Sequence, residues 1–295
     1  MSGARRLRAR IEEGSILVVP GVYDGLSARI ATAARFEAIY CSGGAVARST
    51  GVPDLGLLSM SEVLARLREV VDSTDLPVIA DADTGYGNAL NVIRAVREFE
   101  RVGAAAIHLE DQSAPKKCGH YSDQQLISPE EMVQKLRAAL DTRREMLIIA
   151  RTDALGRAGL AEAIRRSRMY ADAGADVLFI EAPTSREEIE TIARSFSKPL
   201  LINMFEGGRT PLIPAQELEK MGYRLVIVPS DLQRAAIRAM QVTAAALLRD
   251  GSSTAVREQL APFAARDAVV DLGGWSELES RYAEADPSGA QPPGG

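Results

Sequence analysis

A short apolar run followed by an amphipathic helical segment recurs along this chain, and that recurrence constrains the fold more than any single motif. The runs fall at residues 16–19, 38–41, 76–80, 104–109, 146–150, 177–180, 199–202 and 225–228. After a short basic helix at the N-terminus, helices are expected at 27–35, 89–102, 129–142, 160–173, 187–194 and 215–221. Most of the runs lack polar alternation, which implies burial on both faces, as in a parallel sheet. Eight such units in 295 residues favour an α/β (β/α)8 TIM barrel over a doubly wound sheet. Gly85-Tyr86-Gly87 follows the third run, but no third glycine completes a dinucleotide fingerprint. Beyond residue 230, the segments 232–248, 253–265 and 274–283 read as extra C-terminal helices with more apolar residues than one exposed layer needs. That surplus predicts packing on another subunit. Residues 1–285 are expected to form a single barrel domain with its C-terminal helices, and the Pro- and Gly-rich 286–295 a disordered tail.

A net charge of −5 gives no basic footprint, which argues against a nucleic-acid partner. Anionic substrates therefore need a locally positive site. Two cysteines, Cys41 and Cys118, make neither a disulfide framework nor a zinc-ligand spacing, which suits a reducing compartment. The arginines near the N-terminus are followed by no signal-like apolar stretch, and no window of about 18 apolar residues is present to span a membrane. The expectation is a cytoplasmic protein.

In a barrel of this kind the active site lies at the C-terminal ends of the strands. Those ends carry Ser42, Gly43, Gly44, Asp81, Asp83, Glu110, Cys118, His120, Arg151, Glu181 and Asn203. Asp81 and Asp83 are two apart, so on a strand they point to one side, and Glu110 adds a third carboxylate. Hard oxygen ligands without His or Cys favour Mg2+, with Mn2+ an alternative. The competing explanation is carboxylate repulsion relieved by Lys116, Lys117 or Arg151; Arg151 also has Asp153 within reach as an ion-pair partner. Ser42-Gly43-Gly44 leaves backbone N–H groups open to a carboxylate. The segment KKCGH at 116–120 brings a thiol, two ammonium groups and an imidazole together on a loop, where nearby cations favour a reactive cysteine.

At these positions the chain resembles the isocitrate lyase and phosphoenolpyruvate mutase superfamily, and within it the methylisocitrate lyase-like and 2,3-dimethylmalate lyase-like branch. The resemblance rests on YCSGGA at 40–45, GVPDLG at 51–56, DADTGYGN at 81–88, HLEDQ at 108–112, KKCGH, ARTDA at 150–154, FIEAP at 179–183 and NMFEGGRTP at 203–211. It implies a barrel whose eighth helix is exchanged between subunits, in a homotetramer. It also implies that Asp81 and Asp83 bind Mg2+, supported by Asp54 and Glu110. Tyr40, Ser42, Gly43 and Gly44 then hold the 2-oxo-acid part of a small carboxylate substrate, and Glu181, Asn203 and Thr210 form a second carboxylate pocket. Cys118 resembles the general acid–base of the lyases, grouped with Arg151, His120 and Lys116. Ala45, Ile180 and Tyr121 depart from the methylisocitrate lyase pattern, and NMFEGG is similar to broad-specificity members; these differences bear on the exact substrate.

The reaction so implied is magnesium-dependent cleavage of a carbon–carbon bond in a 2-hydroxy di- or tricarboxylate, giving a 2-oxo acid (pyruvate or glyoxylate) and a second acid. The alternatives on the same scaffold are an oxaloacetate hydrolase or decarboxylase and a phosphonomutase. Outside enzymes, the alternative is a silent binding protein that keeps the barrel.

Overall fold

Successive residues along each strand belong to two different cores, and that alternation builds both the barrel and its site. The computed structural model describes residues 1–117, 119 and 124–283. Eight strands, β1 (Leu17–Val22), β2 (Ile39–Cys41), β3 (Val78–Asp81), β4 (Ala106–Glu110), β5 (Leu147–Thr152), β6 (Val177–Ile180), β7 (Leu200–Asn203) and β8 (Leu225–Val228), pair in parallel and in chain order. The barrel closes where Leu17, Val18, Val19 and Pro20 of β1 align with Leu225, Val226, Ile227 and Val228 of β8. The sequence-based expectation of a (β/α)8 barrel is met.

Ile79, Ala106, Leu147, Ile149, Val177, Phe179, Leu201, Leu225 and Ile227 fill one cluster, together with Leu7 and Ile11 of the first helix, α1 (Gly3–Glu12). Their neighbours one residue along, such as Val78, Ile107, Ile148, Leu178 and Ile202, join a second cluster with residues of the surrounding helices. The first cluster is the barrel interior and the second is the layer between sheet and helices, as a strand period of two requires. Carrying the same parity one step further sends Ser42, Asp81, Glu110, Arg151, Glu181 and Asn203 inward at the C-terminal ends.

The helices of the barrel are α2 (Gly25–Ala33), α3 (Gly43–Ser49), α4 (Met60–Asp72), α5 (Ala89–Val102), α6 (Pro129–Thr142), α7 (Leu155–Asp172), α8 (Arg186–Arg194), α9 (Ala215–Met221) and the first part of α10 (Asp231–Asp250). α4 is absent from the sequence expectation, although Ser59 and Glu62 form a capping box ahead of Val63, Leu67 and Val70, which are buried at helical spacing. α3 is likewise absent from the sequence expectation; Ser42 caps it through a 3.3 Å bond from the Ala45 N–H. β1 runs through Pro20 and Gly21, where the sequence suggests its end. Gly21 is required there because a Cβ would stand 2.1 Å from the Pro229 carbonyl oxygen.

The chain divides into two compact units, Met1–Gln241 and Val242–Gly295. The described part of the second comprises the end of α10, a 3-10 turn at Thr254–Gln259, α11 (Phe263–Val269) and α12 (Leu272–Tyr282). The single helix expected over 253–265 is therefore two elements. Pro262 separates them and serves as the N-cap of α11, since its ring cannot continue a helix begun before it. Leu248, Phe263, Trp275 and Tyr282 in this unit are exposed. The tail expected at 286–295 lies outside the described residues, and no described helix is long and apolar enough to cross a membrane.

Candidate active site

Arg151 is the hub of the site. It points inward from β5 and is 8% exposed. Its guanidinium lies 2.9 and 3.1 Å from the two carboxylate oxygens of Asp153, 3.3 Å from Glu110 and 3.3 Å from Glu181. Phe179 supplies a ring face 5.2 Å away. The Asp153 pairing anticipated as a structural alternative is present, but it is one of three. Burial pushes Glu110 well above the usual carboxylate range, against the pull of Arg151. Its Oε1 is buried without a partner among the described residues.

A second charge cluster stands beside it. Lys116 Nζ lies 2.6 Å from Asp54 and 2.9 Å from Asp83. Burial disfavours its charge, but Asp83, Asp81, Asp54 and Glu110 outweigh burial and hold the ammonium well above its ordinary pKa. Asp83 is pushed up to about 6, chiefly by burial, with Lys116 opposing and Asp81 and Asp54 adding. Burial also disfavours the Asp81 anion, but His108, Lys116, Arg151 and the Asp83 N–H prevail and keep it well below the normal range. β3 ends at Asp81, and Asp83 lies beyond it at φ 47°, its N–H turned back 3.0 Å onto the Asp81 carboxylate. The two carboxylates are thus neighbours through a turn and not through strand alternation.

Tyr40, Ser42, Gly44, Asp54, Asp81, Lys116, Arg151, Glu181 and Asn203 line one cavity of about 290 Å3. Gly43 and Asp83 line a smaller one that shares Asp54, Asp81 and Lys116. Asn203 bonds Glu181 at 3.3 Å and leaves its Oδ1 buried without a described partner. Thr210 is buried but is not among the lining residues. Cys118 and His120 lie outside the described residues. Gly119 between them rests on the Arg151 hub: a Cβ there would stand 2.4 Å from Arg151 Nη2 and 2.7 Å from Asp153 Oδ1. The other thiol, Cys41, is buried with its pKa pushed up to about 12 by burial, which makes it unreactive.

Sequence reasoning passed over two residues. His108 faces inward from β4, 2.7 Å from the Tyr40 hydroxyl and 3.4 Å from Asp81, and burial pushes its pKa down to about 4, so the ring is neutral at neutral pH. Its place two residues before Glu110 on an apolar strand was the available signal. Asp111, fully buried, accepts bonds from Thr152 Oγ1 (2.6 Å), Tyr170 OH (2.8 Å), Arg166 Nη1 (3.0 Å) and the Asp153 N–H (3.0 Å). It braces the end of β5 from behind.

The donors here are all oxygens, as magnesium prefers. Among the described residues no group of three His, Cys, Asp or Glu side chains is placed to hold a metal ion by itself. With Asp54, Asp81 and Asp83 bordering one small cavity and the Glu110 Oε1 unpaired, the residues fit a magnesium ion that takes most of its ligands from water and substrate.

Comparison with known proteins gives consistent results. Residues 7–248 match the family model described as phosphoenolpyruvate phosphomutase. The chain is 45% identical to 2-methylisocitrate lyase of Aeropyrum pernix, over 94% of this chain and 89% of that one. It is 42% identical to 2,3-dimethylmalate lyase of Eubacterium barkeri, covering 96% and 99% of the two. A crystal structure of 2,3-dimethylmalate lyase superposes with a TM-score of 0.91 at 37% identity, covering 99% of each chain. One of oxaloacetate acetylhydrolase with 3,3-difluorooxalacetate gives 0.90 at 35%, covering 95% and 97%. By family model, sequence relatives and fold, the chain belongs to the phosphoenolpyruvate mutase/isocitrate lyase superfamily.

Proposed function

We propose that this protein is a magnesium-dependent carbon–carbon lyase that cleaves a 2-hydroxy acid of the 2-methylisocitrate or 2,3-dimethylmalate kind into a 2-oxo acid and a second carboxylic acid. The observation that carries the reading is the convergence of Arg151, Lys116, Asp81, Glu181 and Asn203 on one cavity at the strand ends. The lyases named above at 42% and 45% identity support it.

In this reading Ser42 and the N–H groups of Gly43 and Gly44 hold the carboxylate of the 2-oxo-acid half. Arg151, kept rigid by Asp153, presents a fixed positive charge to the substrate hydroxyl oxygen as it gives its proton to a carboxylate of the cavity, becoming an anion and then a carbonyl. Asp54, Asp81 and Asp83 would hold a magnesium ion, which would supply Lewis-acid stabilisation of developing negative charge. The bond between the hydroxyl-bearing carbon and its neighbour breaks, its electron pair passes to the neighbour, and the Cys118 thiol returns a proton there. Lys116, tied to Asp54 and Asp83, balances the local acid charge. Glu181 and Asn203 face the second carboxylate, and His120 supports Cys118. The proposed assembly is a homotetramer with exchanged eighth helices, for which the exposed Phe263, Trp275 and Tyr282 supply apolar surface, and the proposed compartment is the cytoplasm.

The test is product analysis on 2-methylisocitrate, 2,3-dimethylmalate and oxaloacetate with magnesium or manganese and after chelation. Equimolar 2-oxo acid and second acid, formed only with metal, are expected from the first two. Oxalate and acetate from oxaloacetate alone would instead support the hydrolase reading that the likeness to oxaloacetate acetylhydrolase favours. Cys118→Ser should keep the fold and lower turnover at least about a hundredfold, the lower range for losing a positioned acid. Near wild-type turnover in that variant removes Cys118 from the mechanism.

A further inference from the structure

Three of the four basic side chains that line the 290 Å3 cavity already have acidic partners. Lys116 lies between Asp54 and Asp83, and Arg151 among Asp153, Glu110 and Glu181. Arg234 stands 3.5 Å from Asp231 and gives an Nη1 bond of 2.5 Å to the Glu206 carbonyl. Arg48 differs: among the described residues it has no carboxylate partner, and its one protein bond runs from Nε to Gln233 Oε1 at 2.9 Å.

Gln233 is 5% exposed, and its Nε2 donates to the Ala45 carbonyl at 2.7 Å. Both polar ends of a buried side chain thus go to fixing the helix that carries Arg48 and to fixing Arg48 itself. An exposed arginine needs no such support for its own solvation, and holding it forfeits rotamer entropy. The support orients the fork, with Nη1 3.4 Å from the point where a Gly44 Cβ would stand, beside the backbone that faces the cavity. Planar guanidinium groups held in this way suit carboxylate recognition.

We infer that Arg48 is the subsite for a carboxylate at the end of the substrate remote from the reacting carbons, so that the cavity selects tricarboxylates over dicarboxylates. The inference rests on the lyase reading for its reaction but not for its binding. Inside the cavity the positive charge of Lys116 and Arg151 is balanced by protein carboxylates, so a further substrate charge finds its unmatched cation at Arg48. Phe205 and Ile237, on the same lining, offer apolar wall for the methylene chain between. A dicarboxylate leaves Arg48 in water and gains nothing from it.

Binding of two acids that lack the 2-hydroxyl group, and so are not cleaved, tests this. Succinate and propane-1,2,3-tricarboxylate are titrated calorimetrically into magnesium-loaded wild-type protein, Arg48→Ala and Arg48→Lys. The tricarboxylate should bind the wild type about tenfold more tightly than succinate, roughly the worth of one charge-assisted hydrogen bond. Arg48→Ala should remove that advantage and Arg48→Lys retain part of it. An equal ratio in wild type and Arg48→Ala, or an equal loss for both acids, overturns the subsite. If the ratio shifts as expected while no 2-hydroxy acid is cleaved, the lyase reading fails and the subsite stands. Cleavage with an unshifted ratio overturns the subsite and leaves the lyase in place.

Discussion

Replacing Arg151 with methionine should lower turnover at least about a thousandfold and cost about 3–5 kcal/mol of unfolding free energy at neutral pH. Three carboxylates, Asp153, Glu110 and Glu181, lie within 3.3 Å of this guanidinium, and all three are buried. Methionine fills most of the volume, so the loss reports charge and not a cavity. Without the cation the carboxylates are driven toward their neutral forms, and Glu110 and Asp153 are already raised by burial with Arg151 in place. The sign follows: the folded variant then binds more protons than its unfolded chain, so its stability rises as pH falls. Urea unfolding at pH 8 and pH 5.5 should show a smaller gap between variant and wild type at the lower pH. A pH-independent gap would mean that Arg151 does not oppose protonation of these carboxylates.

The second large effect is expected away from the cavity. Asp111→Ala removes the acceptor of four bonds, one of them from Arg166, itself 7% exposed. Arg166 keeps Glu162 at 2.9 Å and the Ile127 carbonyl at 2.9 Å, but its inner Nη1 loses its anion. Leaving a buried cation short of its partner costs about 3–5 kcal/mol, so the variant should unfold at markedly lower urea concentration. Adding Arg166→Met should recover part of that loss, because the unpaired charge goes with it. Turnover should fall as well: Asp111 anchors the N–H of Asp153, and Asp153 sets the angle of Arg151. If Asp111→Ala unfolds like wild type, water has replaced the carboxylate and the brace is dispensable.

The residues behind these two effects are not equally visible in the sequence. The runs that form β6 and β8 and the segments that form α5, α6 and α9 read with the bounds observed, because apolar periodicity and capping residues are local signals. Pro20 and Gly21 mislead for the opposite reason. They are ordinary turn residues, and only contact with the distant Pro229 explains a strand continuing through them. α4 escapes notice although its Ser59 and Glu62 box is in plain view. The polar strand ends, Arg151 among them, are legible because barrel geometry fixes where they go. The partners of Asp111 are not, since Arg166 and Tyr170 lie 55 and 59 residues along the chain, and a single sequence carries no sign of which acid meets which base across such a distance. Likewise the placement of Lys116 between Asp54 and Asp83 joins residues 62 positions apart.

The contact of Gly21 with Pro229 bears on how a chain of this kind diverges. Pro229 belongs to the cavity lining, yet the atom that fixes how near it approaches the first strand is a hydrogen on a residue outside that lining. Any side chain at position 21 must displace the Pro229 backbone by about an ångström or more, or open the seam between first and last strands. A substitution at Phe205 or Ile237 alters the cavity wall by one side chain at a time. A change at Gly21 reshapes seam and cavity in a single step, from a position that itself makes no polar contact with the site.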